Sequence, residues 1–184
     1  SRFQSRRLQA FSLSEDANIG KQNLVRTVIR DPLHWLAFGF GTGLMPKAPG
    51  TFGTIPGLLL AWLTLPLRLE WRLAIAAGLV LAGIWICGES ARRLGIHDHP
   101  GIVWDELAGM YVTLLLVPTQ LVAGTQIAFW ALAFGLFRLF DIWKPWPIRD
   151  LDHRLAGGVG IMLDDLVAAL YAAILLAFGG WLIS

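Results

Sequence analysis

Five stretches of mostly apolar residues recur along the chain, each bounded by short polar clusters. Leu166–Ile183 is uncharged throughout, and Leu73–Gly88 is uncharged between Arg72 and Glu89. Leu121–Phe137 is broken only by Gly124, Thr125 and Gln126 before Arg138 closes it. Ile55–Leu67 and Leu107–Pro118 are shorter. A spanning helix needs roughly 20 apolar residues and at least about 17, so the first three read as membrane helices. The two short ones read as short spans or as helices buried against their neighbours. The pattern predicts an all-α fold: an integral membrane bundle of four to five helices, with no internal repeat.

Composition strengthens this reading. Hydrophobic residues make up 55% of the 184 and charged residues 15%, with mean hydropathy +0.59; a soluble domain carries about 25% charged residues. Nine tryptophans suit a chain with two membrane–water interfaces. A net charge of +2 gives no reason to expect nucleic acid as a partner. The single cysteine, Cys87, sits in an apolar run and reads as a small buried hydrophobe, which excludes a disulfide framework. Residues 1–32 form a basic, flexible lead-in carrying Arg2, Arg6, Arg7, Lys21, Arg26 and Arg30, and residues 33–184 form the helical domain. No apolar core follows those arginines until Leu33, so a cleavable signal peptide is not expected.

Basic residues also orient the bundle. If all five segments cross and the N-terminus is cytoplasmic, thirteen of the fifteen basic residues fall in cytoplasmic loops, and only Arg68 and Arg72 fall outside. The same choice puts all the polar clusters on the cytoplasmic face. A single site facing the cytoplasm follows.

Four clusters supply its chemistry. GTGLMPKAPGTFGT, Gly41–Thr54, offers glycines, hydroxyls including Thr51, and the cation Lys47. It reads equally as an anion cradle ahead of a helix or as a turn in which glycines serve packing. It is not a Walker A loop. HDHPGIVWDE, residues 97–106, gathers His97, Asp98, His99, Asp105 and Glu106. One acid there fits a helix dipole; the rest fit a divalent cation or a proton carrier.

FRLFDIWKPWPIRDLD, Phe137–Asp152, places Arg138 and Asp141 three apart on one helix face. Pro145-Trp146-Pro147 should end that helix. A snorkelling basic belt explains Lys144, Trp146 and Arg149 but leaves Asp141 unexplained. GGVGIMLDD, Gly157–Asp165, puts Asp164 and Asp165 side by side at the expected start of the last span. A helix cap needs one acid, so the adjacent pair favours a cation between them. Carboxylates for a divalent cation, beside lysine and arginines for phosphate oxygens, are what phosphoryl chemistry requires.

These four motifs, in order and spacing from about Trp35 onward, strongly resemble the bacterial phosphatidylglycerophosphatase A family. The resemblance implies an all-helical Mg2+-dependent phosphatase of the inner membrane. Its reaction would convert phosphatidylglycerophosphate to phosphatidylglycerol, the last step of that lipid's synthesis. Soluble relatives of the family lack the spans present here.

Other phosphatase chemistries find no residues. Cys87 is in a span; Asp150-Leu151-Asp152 has the spelling of an aspartyl-phosphate motif in the wrong setting; no Ser-Gly-His segment occurs. Nor is there the Asp-Gly with following Ala-Arg of the transferases that use CDP-alcohols. What remains is metal-activated water attacking phosphorus in line without a covalent intermediate.

The expected metal environment is Asp105, Glu106, Asp141, Asp164 and Asp165. The expected catalytic groups are Asp105, Glu106, Asp141, His97 and His99, and the expected substrate contacts are Lys47, Thr51, Arg138, Lys144 and Arg149. The alternatives are a membrane head-group phosphotransferase using the same metal site, or a proton-coupled transporter. A transporter would place its acids at mid-membrane, whereas these crowd the ends of the apolar runs.

Overall fold

A computed structural model describes residue 20 and residues 22–96, 99–116, 126–146, 148 and 157–183. Every regular element among the described residues is helical, as the apolar pattern requires. Residues 22–30 form a helical lead-in. Asp31 then caps α1 (Pro32–Ala37), its carboxylate accepting from the Leu33 N–H at 2.9 Å with Pro32 at the first helical position. A 3-10 segment over Gly39–Leu44 follows, kinked at Phe40 and Gly41.

The five predicted helices are all present: α2 (Pro49–Leu63), α3 (Leu69–Leu94), α4 (Trp104–Leu116), α5 (Gln126–Trp143) and α6 (Gly158–Ile183). α5 stops just before Pro145, where a helix should end. α3 runs past its apolar stretch and takes in Glu89, Arg92 and Arg93.

α4 is the axis of the bundle, packed against α2, α3, α5 and α6. Residues on all sides of it are buried, among them Trp104, Leu107, Ala108, Met110, Tyr111 and Leu114. A helix buried all round is a core helix. α6 meets it with Ala168, Ala169, Ala172, Ala173 and Leu176, spaced three and four apart. Small residues bring the backbones together: a Cβ on Gly57 would run into the Leu107 carbonyl, and one on Gly158 into the Ile84 carbonyl. Cys87 is fully buried, as expected of an inert apolar thiol.

The outside of the bundle is apolar as well. Trp62, Trp71, Leu81, Trp85, Ile127, Ile142 and Phe178 are all more than half exposed. Two helices, Leu69–Leu94 and Gly158–Gly179, are long and apolar enough to cross a membrane. The expectation of four to five spans is met only to that extent. α2 and α4 have 15 and 13 residues, about 22 and 20 Å of helix, short of a hydrocarbon core about 30 Å thick.

A polar latch ties α1 to the end of α3. His34 Nδ1 and Ser90 Oγ are hydrogen-bonded at 2.8 Å, both buried, while Asp31 accepts from Arg93 at 2.9 Å. Burial would raise the Asp31 carboxyl, but the Leu33 N–H and Arg93 hold it below its ordinary value. Burial lowers the His34 pKa, and Arg93 adds to the effect against Asp31 and Glu89. The fold therefore favours neutral His34. Stability is intact above the ordinary histidine value of 6.5 and declines as pH falls below it. Ser90→Ala should cost about 1–3 kcal/mol by leaving a buried nitrogen unsatisfied. Melting temperatures of purified protein from pH 8 to 5 should show the acid-side loss in wild type and a flatter profile in His34→Gln.

Candidate functional site

Three helices and a connector deliver the charged residues to one place. Asp105 and Glu106 lie in the first turn of α4. Arg138 and Asp141 project from one face of α5, where they form an ion pair. Lys144 follows the end of α5 with a left-handed backbone, φ 45°, and its Nζ donates to Asp164 Oδ2 at 2.7 Å. Asp164 and Asp165 come from α6. These seven side chains, with Ala48, Pro49 and Gly50 at the start of α2 and Pro100 and Ile102 before α4, line a cavity of about 260 Å3.

One expectation about this cluster needs correcting. Asp164 and Asp165 do not open their helix, because α6 begins at Gly158 and both acids sit in its second turn. They are therefore no caps, and the dipole argument does not account for them. Asp164 is held by Lys144 and accepts from the Asp165 N–H at 3.1 Å. Asp105 and Glu106 do occupy a first turn, as expected.

Pairing divides the carboxylates into two kinds. Asp141 and Asp164 face cations directly, and Arg138 also reaches Glu106 at 3.5 Å. Asp105 Oδ1, Glu106 Oε2 and Asp165 Oδ2 are buried with no hydrogen-bond partner. Oxygens of those three residues lie within 4.8 Å of one another. Burial and then repulsion from Glu106 and Asp165 raise the Asp105 carboxyl well above its usual range. Burial pushes Glu106 up to about 7, with a hydrogen bond to the Asp105 carboxyl and the charge of Arg138 opposing the rise and Asp141 adding to it. Buried carboxylates without donors are costly, and a hard divalent cation is the partner that oxygen ligands suit.

The remaining expected residues fall elsewhere. Thr51 is half-buried next to Gly50 and Lys47 is exposed; neither lines the cavity. His99 does not line it either: its Nδ1 accepts from the Gly101 N–H at 3.0 Å, and its ring lies 5.4 Å from that of Phe38. His97 and Arg149 lie outside the described residues.

Gly50 is the part of the site that the sequence left unassigned. A Cβ there would sit 2.9 Å from both terminal nitrogens of Arg138 and would collide with the Glu106 carboxylate. The glycine-rich run announced some close approach, but its partners, 56 and 88 residues away, left no local mark. α2 also starts on Ala48, which has no side chain to cap it. Its N-terminal dipole end is thus turned to the cavity.

Residues 35–179 match the family model described as Phosphatidylglycerophosphatase A. The chain is 41% identical over 157 residues to the Phosphatidylglycerophosphatase A of Escherichia coli K12, covering 84% of this chain and 87% of that relative. It is 42% identical over 153 residues to the protein of that name in Haemophilus influenzae, covering 82% and 90%. A relative in Bacteroides thetaiotaomicron, named as a candidate phosphatidylinositol-3-phosphatase, is 37% identical over 153 residues, covering 79% and 91%. No solved structure matches the chain significantly.

The unpaired acids predict a trade between stability and cation binding. In chelator, Asp105→Asn should raise Tm, by about 2–4 °C for each kcal/mol of repulsion relieved in a chain of this size. Added Mg2+ or Mn2+ should raise the Tm of wild type and shift the variant much less. A variant less stable than wild type in chelator would contradict the repulsion.

Proposed function

The chain belongs to the phosphatidylglycerophosphatase A family, and from that membership and its pocket we propose that it hydrolyses phosphatidylglycerophosphate to phosphatidylglycerol and phosphate. The observation that carries the reading is the cavity itself. Three donor-less buried carboxylate oxygens stand beside Arg138 and Lys144 at an uncapped helix start.

In this reading Asp105, Glu106 and Asp165 hold a divalent cation, Mg2+. When bound, it supplies Lewis acidity toward phosphoryl oxygens and a lower pKa for water. Arg138 and Lys144 take the remaining phosphate oxygens, together with the α2 N-terminus. Asp141 keeps the Arg138 fork in place, and Asp164 does the same for Lys144. Water attacks phosphorus opposite the ester oxygen. The new oxygen–phosphorus bond forms as the bond to the terminal glycerol breaks, and that oxygen leaves with a proton. The proton of the attacking water passes to a carboxylate of the cavity, in preference to His99, which does not line it. No covalent intermediate is invoked: among the described residues the cavity presents no serine, cysteine or histidine.

The relative named for phosphatidylinositol 3-phosphate favours a second substrate for the same site, a different lipid phosphomonoester. Phosphate release from each lipid by purified protein distinguishes the two.

Asp141→Asn, Asp164→Asn and Glu106→Gln should each abolish most turnover while the protein still folds. Arg138→Lys should fall by about one to two orders of magnitude, because a point charge cannot replace a guanidinium fork. Near-normal Mg2+-dependent activity in all three amides would remove the metal site from this pocket.

The proposed location is the bacterial inner membrane, multi-pass, with the cavity facing the cytoplasm. The basic-residue count and the apolar exterior support it. Single cysteines at positions 47 and 92, placed after Cys87→Ala, should resist impermeant thiol reagents in intact cells. Labelling of either from outside would reverse the orientation.

A further inference from the structure

A second cavity lies outside the charged site. It is an open cleft of about 510 Å3 between α2 and α5, lined by Leu58, Trp62, Ile127, Trp130, Ala131 and Phe134. Its volume is that of a ligand cleft, about 300–1,000 Å3, and every described lining side chain is apolar. α2 and α5 scarcely touch one another, so the space between them stays open.

Both helices also contribute to the charged cavity. Gly50 starts α2 against Arg138 near the end of α5, so the helices run in opposite directions away from that meeting point. Leu58 stands eight residues beyond Gly50, and Trp130 eight residues before Arg138. Each separation is about 12 Å along its helix. The cleft therefore lies further along the same two helices than the charged cavity, so that the pair is polar toward one end and apolar toward the other. A glycerophospholipid has that order of parts: a phosphate head, a glycerol backbone, then a hydrocarbon chain.

We propose that the α2–α5 cleft holds one acyl chain of the lipid whose phosphate occupies the charged cavity. The inference rests on the lipid phosphatase reading and adds a chain-binding subsite to it. The site would select its substrate at both ends: charge fixes the phosphate, and the cleft favours a chain long enough to reach Trp62 and Trp130.

The test compares dioleoyl with dihexanoyl phosphatidylglycerophosphate in mixed detergent micelles. Ala131→Trp fills the cleft and should lower the long-chain over short-chain ratio of kcat/KM by at least about tenfold, as a lost apolar subsite does. Trp62→Ala, which removes a wall instead, should lower the same ratio. Leu81→Trp, on exposed α3 surface away from the cleft, should leave it unchanged. An unaltered ratio in both cleft variants, whose folding is checked by Tm, would mean that the cleft holds only bulk lipid, and would overturn the proposal. So would an equal fall with Leu81→Trp.

If wild type releases phosphate from neither lipid, the hydrolytic reading fails instead. The cleft is then judged by equilibrium binding of the same two lipids in chelator. Long-chain affinity that Ala131→Trp weakens supports it, and affinity indifferent to chain length sinks it.

Discussion

Five carboxylates held inside an apolar bundle set the terms for the rest of this fold. A carboxylate in such surroundings must find a cation, a donor or a proton. Arg138 satisfies Asp141 and leans toward Glu106, while Lys144 satisfies Asp164. Asp105 and Asp165 then have no protein cation left among the described contacts, and Glu106 has one oxygen without a partner. The helices must nonetheless bring these groups within a few ångströms of each other. Gly109 lets α4 come close to α5 and α6, since a Cβ there would run into the Phe137 ring and sit 3.3 Å from the Asp165 carbonyl, and the alanines of α6 allow it to lie against α4.

The structure thus separates stability from function along its length. Apolar contacts among α4, α5 and α6 form one core, and those among α1, α3, α4 and the start of α6 form another. The charged cavity belongs at the end where helices begin or break: the first turns of α2 and α4 and the close of α5 before Pro145. Irregular backbone and helix termini expose polar groups that a mid-helix would consume.

Much of this was legible in the sequence, for identifiable reasons. Long apolar runs mark helices, so each of the five runs overlaps a helix, although α2 and α6 begin six and eight residues before their runs. The Arg138–Asp141 pair followed from a spacing of three. Other features depend on partners distant in the chain. Gly157-Gly158 reads as a loop because glycine is a poor helix former. The helix nevertheless starts at Gly158, where a backbone carbonyl of α3 leaves no room for a side chain. That one displacement moved Asp164 and Asp165 from a cap into the body of α6. The seven charged residues that line the cavity stood out in the sequence because charge is improbable in an apolar chain. Lys47 and Thr51, read as parts of an anion cradle, and His99, read as a proton carrier or ligand, do not line the cavity. The His34–Ser90 latch gave no signal, since neither residue is unusual in its neighbourhood and they are 56 positions apart.

The order of the helices along the chain has a consequence for biosynthesis. Gly50, Glu106 and Arg138 emerge from the ribosome before Asp164 and Asp165. Until the last of these helices arrives, the cavity lacks Asp164 and Asp165. A nascent chain therefore carries Asp105, Glu106 and Asp141 without the pair of acids that α6 adds. Docking of α6 completes the apolar cores and the acid cluster in one event, so the centre proposed for lipid hydrolysis exists only in the fully assembled chain.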